Sequence, residues 1–230
     1  MDYREGASAM QERFSRRRLP HWDQPGATYF VTTCLLGSIP AQGLAEIERV
    51  RRRLQRQPRP ADVPSDDWKT RQWKRVFVAN EEWLDCKPAV RYLVDDRLAA
   101  EVVRSLKHFD GERYDLVAWA VMPSHLHWVF RPRDEWVQSL GAAAKDRSPR
   151  RRIQHSVNLH TALECNRLLR RTGGFWQRES YDHCVRDEEE LERIVAYIHA
   201  NPVRAGLVER ATDFRFSSAR EHALREGNIV

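Results

Sequence analysis

The sequence predicts an α+β fold, and three observations lead there. Tyr114–Met122 and His125–Phe130 are two apolar runs broken only at Pro123-Ser124, which reads as a pair of adjacent antiparallel strands. Other stretches, the clearest after Asp187, carry apolar residues at helical spacing behind a capping residue. The chain has 230 residues, 41% hydrophobic and 31% charged, enough for one well-buried domain with or without a large insertion.

Residues 1–20 are polar and basic and read as a flexible arm, followed by a domain over 21–219 and a tail at 220–230. Thr28–Leu36 is β-branched and aromatic, hence a strand. Leu44–Leu54 has an amphipathic helical pattern with arginines between the apolar positions. The run QPRPADVPSDD, with three prolines in seven residues, must be a loop. Trp68–Trp83 has no clear period, and its aromatics suit packing over a core or over a ligand. Asp95 is placed to cap a helix reaching about Phe109, with Asp110-Gly111 as the turn into the strand pair. Residues 134–171 look helical but are interrupted by RSPRRR, and Phe175–Val185 reads as extended. Asp187 then caps a helix with three glutamates in its first turn, where carboxylates complement the helix dipole. Leu191, Ile194, Val195 and Ile198 form its apolar face, and Asn201-Pro202 is expected to end it, because a residue before proline avoids the helical region.

Composition excludes some functions. No stretch approaches the ~18 apolar residues of a membrane helix, and MDYREGASAM lacks the apolar core of a secretory signal, so a cytoplasmic location is expected. Cys34, Cys86, Cys165 and Cys184 are scattered without a CxxC pair, as expected of reduced thiols rather than a zinc ribbon or a disulfide framework. The net charge of +6 suits a polyanionic partner. Only five of the 39 basic residues are lysine; arginine's fork suits phosphate, although a GC-rich genome also favours arginine.

Two segments carry chemistry. In VMPSHLHWVF, His125 and His127 sit two apart on a strand, so both imidazoles point to one face with Cα atoms roughly 6.6 Å apart, and Leu126 points to the other. Alone, such a pair reads either as two metal ligands or as two structural histidines. In YIHANPVRAGLV, Tyr197 and Asn201 lie four apart and share a helix face. Asn201 alone reads equally well as a cap before Pro202. Arg147, Arg150, Arg151 and Arg152, with Trp176 and Arg178, offer charge and stacking planes suited to single strands and hairpins. The same cluster also reads as a solvated loop, and Trp176 as core.

Taken together, MPSHLH, then FWQRE, then a capped helix ending in YIHANPVRAGLV resembles the REP-associated tyrosine transposases, within the wider HUH single-tyrosine transposases. PHWDQPGATYFVTTCL is similar to the opening strand of that family, and matching segments cover 19–36, 108–132 and 174–219. The resemblance implies a ferredoxin-like antiparallel sheet with helices on one face. It implies Tyr197 as nucleophile and His125, His127 and Asn201 as ligands of magnesium or manganese. The implied activity is cleavage and rejoining of single-stranded or hairpin DNA through a 5′-phosphotyrosine, by a monomer or homodimer. A non-cutting, sequence-specific DNA-binding protein on the same fold is the alternative. Ser124 stands where the family more often has asparagine, and residues 37–90 are longer than a minimal member needs, which marks them as a helical or loop insertion.

Overall fold

The computed structural model describes residues 13–16, 20–141, 147–225 and 227. Of the expected basic arm, residues 1–12 and 17–19 lie outside the described residues, as do 226 and 228–230 of the tail. The described part of the arm is not free chain: β1 (Arg13–Arg16) pairs antiparallel with β2 (Pro20–Asp23).

The main sheet has four antiparallel strands: β3 (Tyr29–Cys34), β4 (Tyr114–Val121), β5 (His125–Pro132) and β6 (Tyr181–Cys184), in spatial order β4-β5-β3-β6. Between β3 and β4 run α1 (Ala41–Arg56), α2 (Ser65–Cys86) and α3 (Asp96–His108). Between β5 and β6 run α4 (Asp134–Ser139) and α5 (Pro149–Leu168); α6 (Glu188–Arg204) and α7 (Ala219–Arg225) follow. Without the inserted α1 and α2, the order through β6 is β-α-β-β-α-β, the ferredoxin-like arrangement expected from the resemblance.

Strand alternation sorts the side chains onto two faces. On one, Val31, Leu126, Trp128 and Phe130 pack with Leu98 and Val102 of α3 and Ile153 and Val157 of α5. These two crossover helices are the expected helical layer. On the other face Phe30, Cys34, Ala118, Ala120 and Val129 meet Phe77 and Leu84 of α2 and Ile198 of α6. Ala118 and Ala120 are small and fully buried, and α6 packs on β4 at this point. Both faces are therefore covered, the second by the insertion and by the helix that carries Tyr197.

Local rules explain most element ends. Asp95 accepts a hydrogen bond from Arg97 N (3.0 Å) and Asp187 from Glu190 N (2.7 Å), so both act as the caps expected. Pro149 does more than interrupt a helix: it is the first residue of α5, behind the Ser148 cap, a position where its missing N–H costs nothing. Residues 142–146 of the segment read as helical lie outside the described residues. The expected stop at Asn201-Pro202 is corrected: α6 runs on to Arg204 with Pro202 inside it. Asn201 and Pro202 are both buried against the sheet, and that packing outweighs the preference of a pre-proline residue for extended backbone. The 220–230 tail begins with the helix α7, whose His222 bonds Val117 O at 2.7 Å. Cys34 and Cys165 are free and buried and Cys184 is free and half-buried; the Cys86 side chain lies outside the described residues.

Candidate metal centre and nucleophile

The centre is built from β5, α2 and α6. His125 and His127 point to the same face of β5, as their spacing requires, while Leu126 enters the opposite core. Each ring is held from behind. His127 Nδ1 lies 2.8 Å from Thr32 Oγ1 on the neighbouring strand, where Thr32 and His127 are cross-strand partners. Ser124 Oγ donates to Leu84 O (3.1 Å) and thus accepts the Nδ1 hydrogen of His125 at 3.0 Å. That fixes the tautomer of His125 and leaves Nε2 with a lone pair facing the centre.

The two Nε2 atoms stand 2.9 Å apart, with Glu81 Oε2 3.0 Å and Asn201 Nδ2 3.1 Å from His127 Nε2. Tyr197 Oη donates to Glu81 Oε2 at 2.5 Å, and Asp85 Oδ1 lies 3.9 Å from His125 Nε2. The inner groups are enclosed, with His125, His127 and Asn201 0% exposed and Glu81 3%, while Tyr197 and Asp85 are half-buried. The single turn between Tyr197 and Asn201 brings both to the histidines, as their spacing on one helix face implied. Asn201 is not a terminal cap, since the helix continues past it.

The donor set fits a divalent cation. Glu81, His125 and His127 each offer one ligand atom, all within 4.8 Å of one another. Three further oxygens in the cluster, Glu81 Oε1, Asp85 Oδ1 and Asn201 Oδ1, are buried without a hydrogen-bond partner, a costly state that a cation relieves. Half a turn of the Asn201 amide brings Oδ1 to the position Nδ2 now holds beside His127. Two imidazole nitrogens with carboxylate and amide oxygens make a mixed nitrogen–oxygen donor set of the kind that binds divalent cations.

The electrostatics agree. Burial, then the proximity of His127, pushes His125 down to about 3, so it is neutral and able to ligate. Burial acts to raise Glu81, but the charge and hydrogen bond of His127, with His125 and Tyr197, hold it down at about 2. Asp85 is pushed up to about 6 by burial and by the Glu81 charge. The Tyr197 phenol is raised well above its ordinary range, first by burial and then by the adjacent Glu81 charge. In this state Tyr197 is a protonated phenol whose hydrogen points at a carboxylate.

The residues read as DNA contacts are only partly confirmed as surface groups. Arg150 is corrected: it is buried beneath the sheet, with Nε 2.7 Å from Asp23 Oδ1 and Nη1 3.2 Å from Asp182 Oδ2. A buried guanidinium needs such carboxylates, and their charge keeps Arg150 protonated against the desolvation. Trp176 is also corrected, since it is buried and donates to Thr161 Oγ1 at 2.8 Å. Arg147 and Arg178 are exposed, and Arg151 and Arg152 half-buried, but α5 lies on the face opposite the histidines. Arg178 is the nearest in register to the centre. Its neighbour Gln177 bonds Cys34 O (2.8 Å), and Cys34 is the cross-strand partner of His125.

Sequence reasoning missed Glu81, Asp85 and Thr32, and treated Ser124 as a turn detail. The available signal was Phe77, Glu81 and Leu84 at i, i+4 and i+7, an acid on the apolar face of a helix.

A four-stranded antiparallel sheet with paired histidines on one face thus meets a helix that presents a tyrosine and an amide one turn apart. No family model matches the chain. The resemblance to REP-associated tyrosine transposases is nevertheless borne out by relatives. The chain is 28% identical over 106 residues to a putative REP-associated tyrosine transposase of Haemophilus influenzae, and 25% identical over 114 residues to the REP-associated tyrosine transposase of Escherichia coli K12. Those matches take in 46% and 49% of this chain and 58% of each relative. A solved REP-associated tyrosine transposase bound to a REP hairpin shares the fold, with TM-score 0.52 and 17% identity over 92% of this chain and 87% of that one.

Proposed function

We propose that this chain is a metal-dependent single-strand DNA transposase or endonuclease, cutting and rejoining DNA at palindromic hairpin repeats through a 5′-phosphotyrosine. The observation that carries the reading is the convergence of Tyr197 on the two histidines through one shared carboxylate, Glu81. His125, His127 and Asn201, the last through Oδ1 once its amide turns, would hold the cation, with Glu81 as a further donor. A cation held there supplies positive charge to the target phosphate and to the departing 3′-oxygen. Tyr197 Oη forms the bond to phosphorus as its proton passes to Glu81, the bond to the 3′-oxygen breaks, and the departing oxygen takes up a proton from solvent to leave as a 3′-hydroxyl. The phenolic hydrogen already points at Glu81 Oε2, the acceptor in contact with it. The phosphodiester is exchanged rather than hydrolysed, so the covalent product can be rejoined to another 3′-hydroxyl.

The enclosure of the centre favours one second reading, a DNA-binding protein on this fold that no longer cuts. Incubation of single-stranded palindromic DNA with the protein and manganese, followed by a denaturing gel, separates the two. Wild type is expected to give a covalent adduct that Tyr197→Phe abolishes, with DNA affinity changed by no more than a few-fold. An adduct that persists in the phenylalanine variant transfers the role to another tyrosine, of which Tyr181 lies in the same buried cluster.

A further inference from the structure

The inserted hairpin α1–α2 carries a second feature besides Glu81. Arg49, Arg53 and Arg56 lie at i, i+4 and i+7 on α1, and Arg71 and Arg75 at i and i+4 on α2, all exposed. The two sets meet at one seam, because Gln72 Nε2 donates to Leu54 O (2.7 Å) and Arg75 Nη1 to Gln57 Oε1 (3.5 Å). Among the described residues no carboxylate pairs with any of these five arginines, whereas Arg51 and Arg52 nearby are paired with Glu48. Complementing the helix dipole accounts for Arg53 and Arg56 in the last turn of α1, but not for Arg49, Arg71 and Arg75. Trp68, half-exposed, lies three residues before Arg71 on the same outward stripe and adds a stacking plane beside the charge.

The stripe lies on the outward side of the helix that presents Glu81 from its buried side. Arg75 precedes Glu81 by six residues and Arg71 by ten, which is about 9 and 15 Å of helix rise. Since α2 also supplies Glu81, the partner of Tyr197, a strand held along its outward stripe is held on an element that borders the nucleophile. We propose that the α1–α2 hairpin is the docking surface for the backbone of the unpaired DNA strand that leads into the site; this rests on the reading that the chain acts on DNA.

The test is fluorescence anisotropy of a labelled single-stranded oligonucleotide titrated with the full chain at several salt concentrations. Wild type is compared with the fourfold variant Arg53→Gln, Arg56→Gln, Arg71→Gln, Arg75→Gln, and with Arg147→Gln, Arg178→Gln as the control. Losing four phosphate contacts should flatten the slope of log affinity against log salt by about 3, which weakens binding on the order of 10²–10³-fold at 0.1 M salt. The control pair should change the slope less. Hydrogen exchange on the wild type adds a readout independent of folding in the variant: the strand should protect the last turn of α1 and the first half of α2. An unchanged slope with no such protection overturns the hairpin proposal while leaving the function reading intact. A wild type that binds no strand at any salt concentration overturns both.

Discussion

Asn201 shows how one residue can satisfy two readings until its surroundings are known. Before a proline it has a structural reason to occur, and one turn after Tyr197 it has a chemical one. Its burial inside α6, with Oδ1 unpartnered and the amide 3.1 Å from His127, favours the chemical role. Asn201→Ala should therefore weaken manganese binding to the DNA-free protein, measured calorimetrically, by about 10–100-fold. Asn201→Asp should retain or tighten it. An alanine variant that melts earlier but binds manganese like the wild type would return Asn201 to a structural role. At this scale the histidine pair was legible because a strand's period of two fixes the face of both rings whatever surrounds them. Glu81 was not, because an acid on an apolar helix face is meaningful only once the opposing surface is known to hold unpaired ligands.

Elements were legible where local chemistry decides them and less so where packing does. The Asp95 and Asp187 caps were readable in advance, since a side-chain oxygen before a helix serves its free N–H groups wherever the helix lies. The end of α6 was not, because burial of Asn201 and Pro202 overrides a local preference. Nor was α2, whose aromatics serve several neighbours at once: Trp73 stacks on Phe77 and His183, and Trp83 packs where a Cβ on Gly43 would meet it at 2.7 Å. Gly43 is what allows α1 and α2 to approach there, a requirement invisible without the partner helix. The cap of α6 offers a check at this scale. Asp187→Ala removes the 2.7 Å bond to Glu190 N, at the start of a helix that delivers both Tyr197 and Asn201. A loss of about 1 kcal/mol is expected, seen as a melting temperature lower by roughly 2–4 °C. No change in melting would mean that the salt bridges of Glu190 to Arg186 and His183 hold the first turn unaided.

Across the whole molecule the sheet divides the labour between its two faces. The face toward α3 and α5 is an apolar core that carries a buried ion triad, Arg150 with Asp23 and Asp182. The face toward α2 and α6 holds the histidines, the tyrosine, the unpaired oxygens and, beyond the edge of the centre, the basic hairpin. Overall charge of +6 gave no indication of which face binds, and the arginine cluster that drew attention in the sequence, RSPRRR, lies on the structural side. The central claim, that Tyr197 takes the 5′ side of a broken strand, is tested most directly by label polarity. A single-stranded palindromic substrate is labelled at either its 5′ or its 3′ end, incubated with the protein and manganese, and resolved on a denaturing protein gel. The 3′ label should move into the protein band and the 5′ label should run as a free, shortened oligonucleotide ending in a 3′-hydroxyl. Cleavage that leaves both labels free, or that carries the 5′ label into the protein band, contradicts the account.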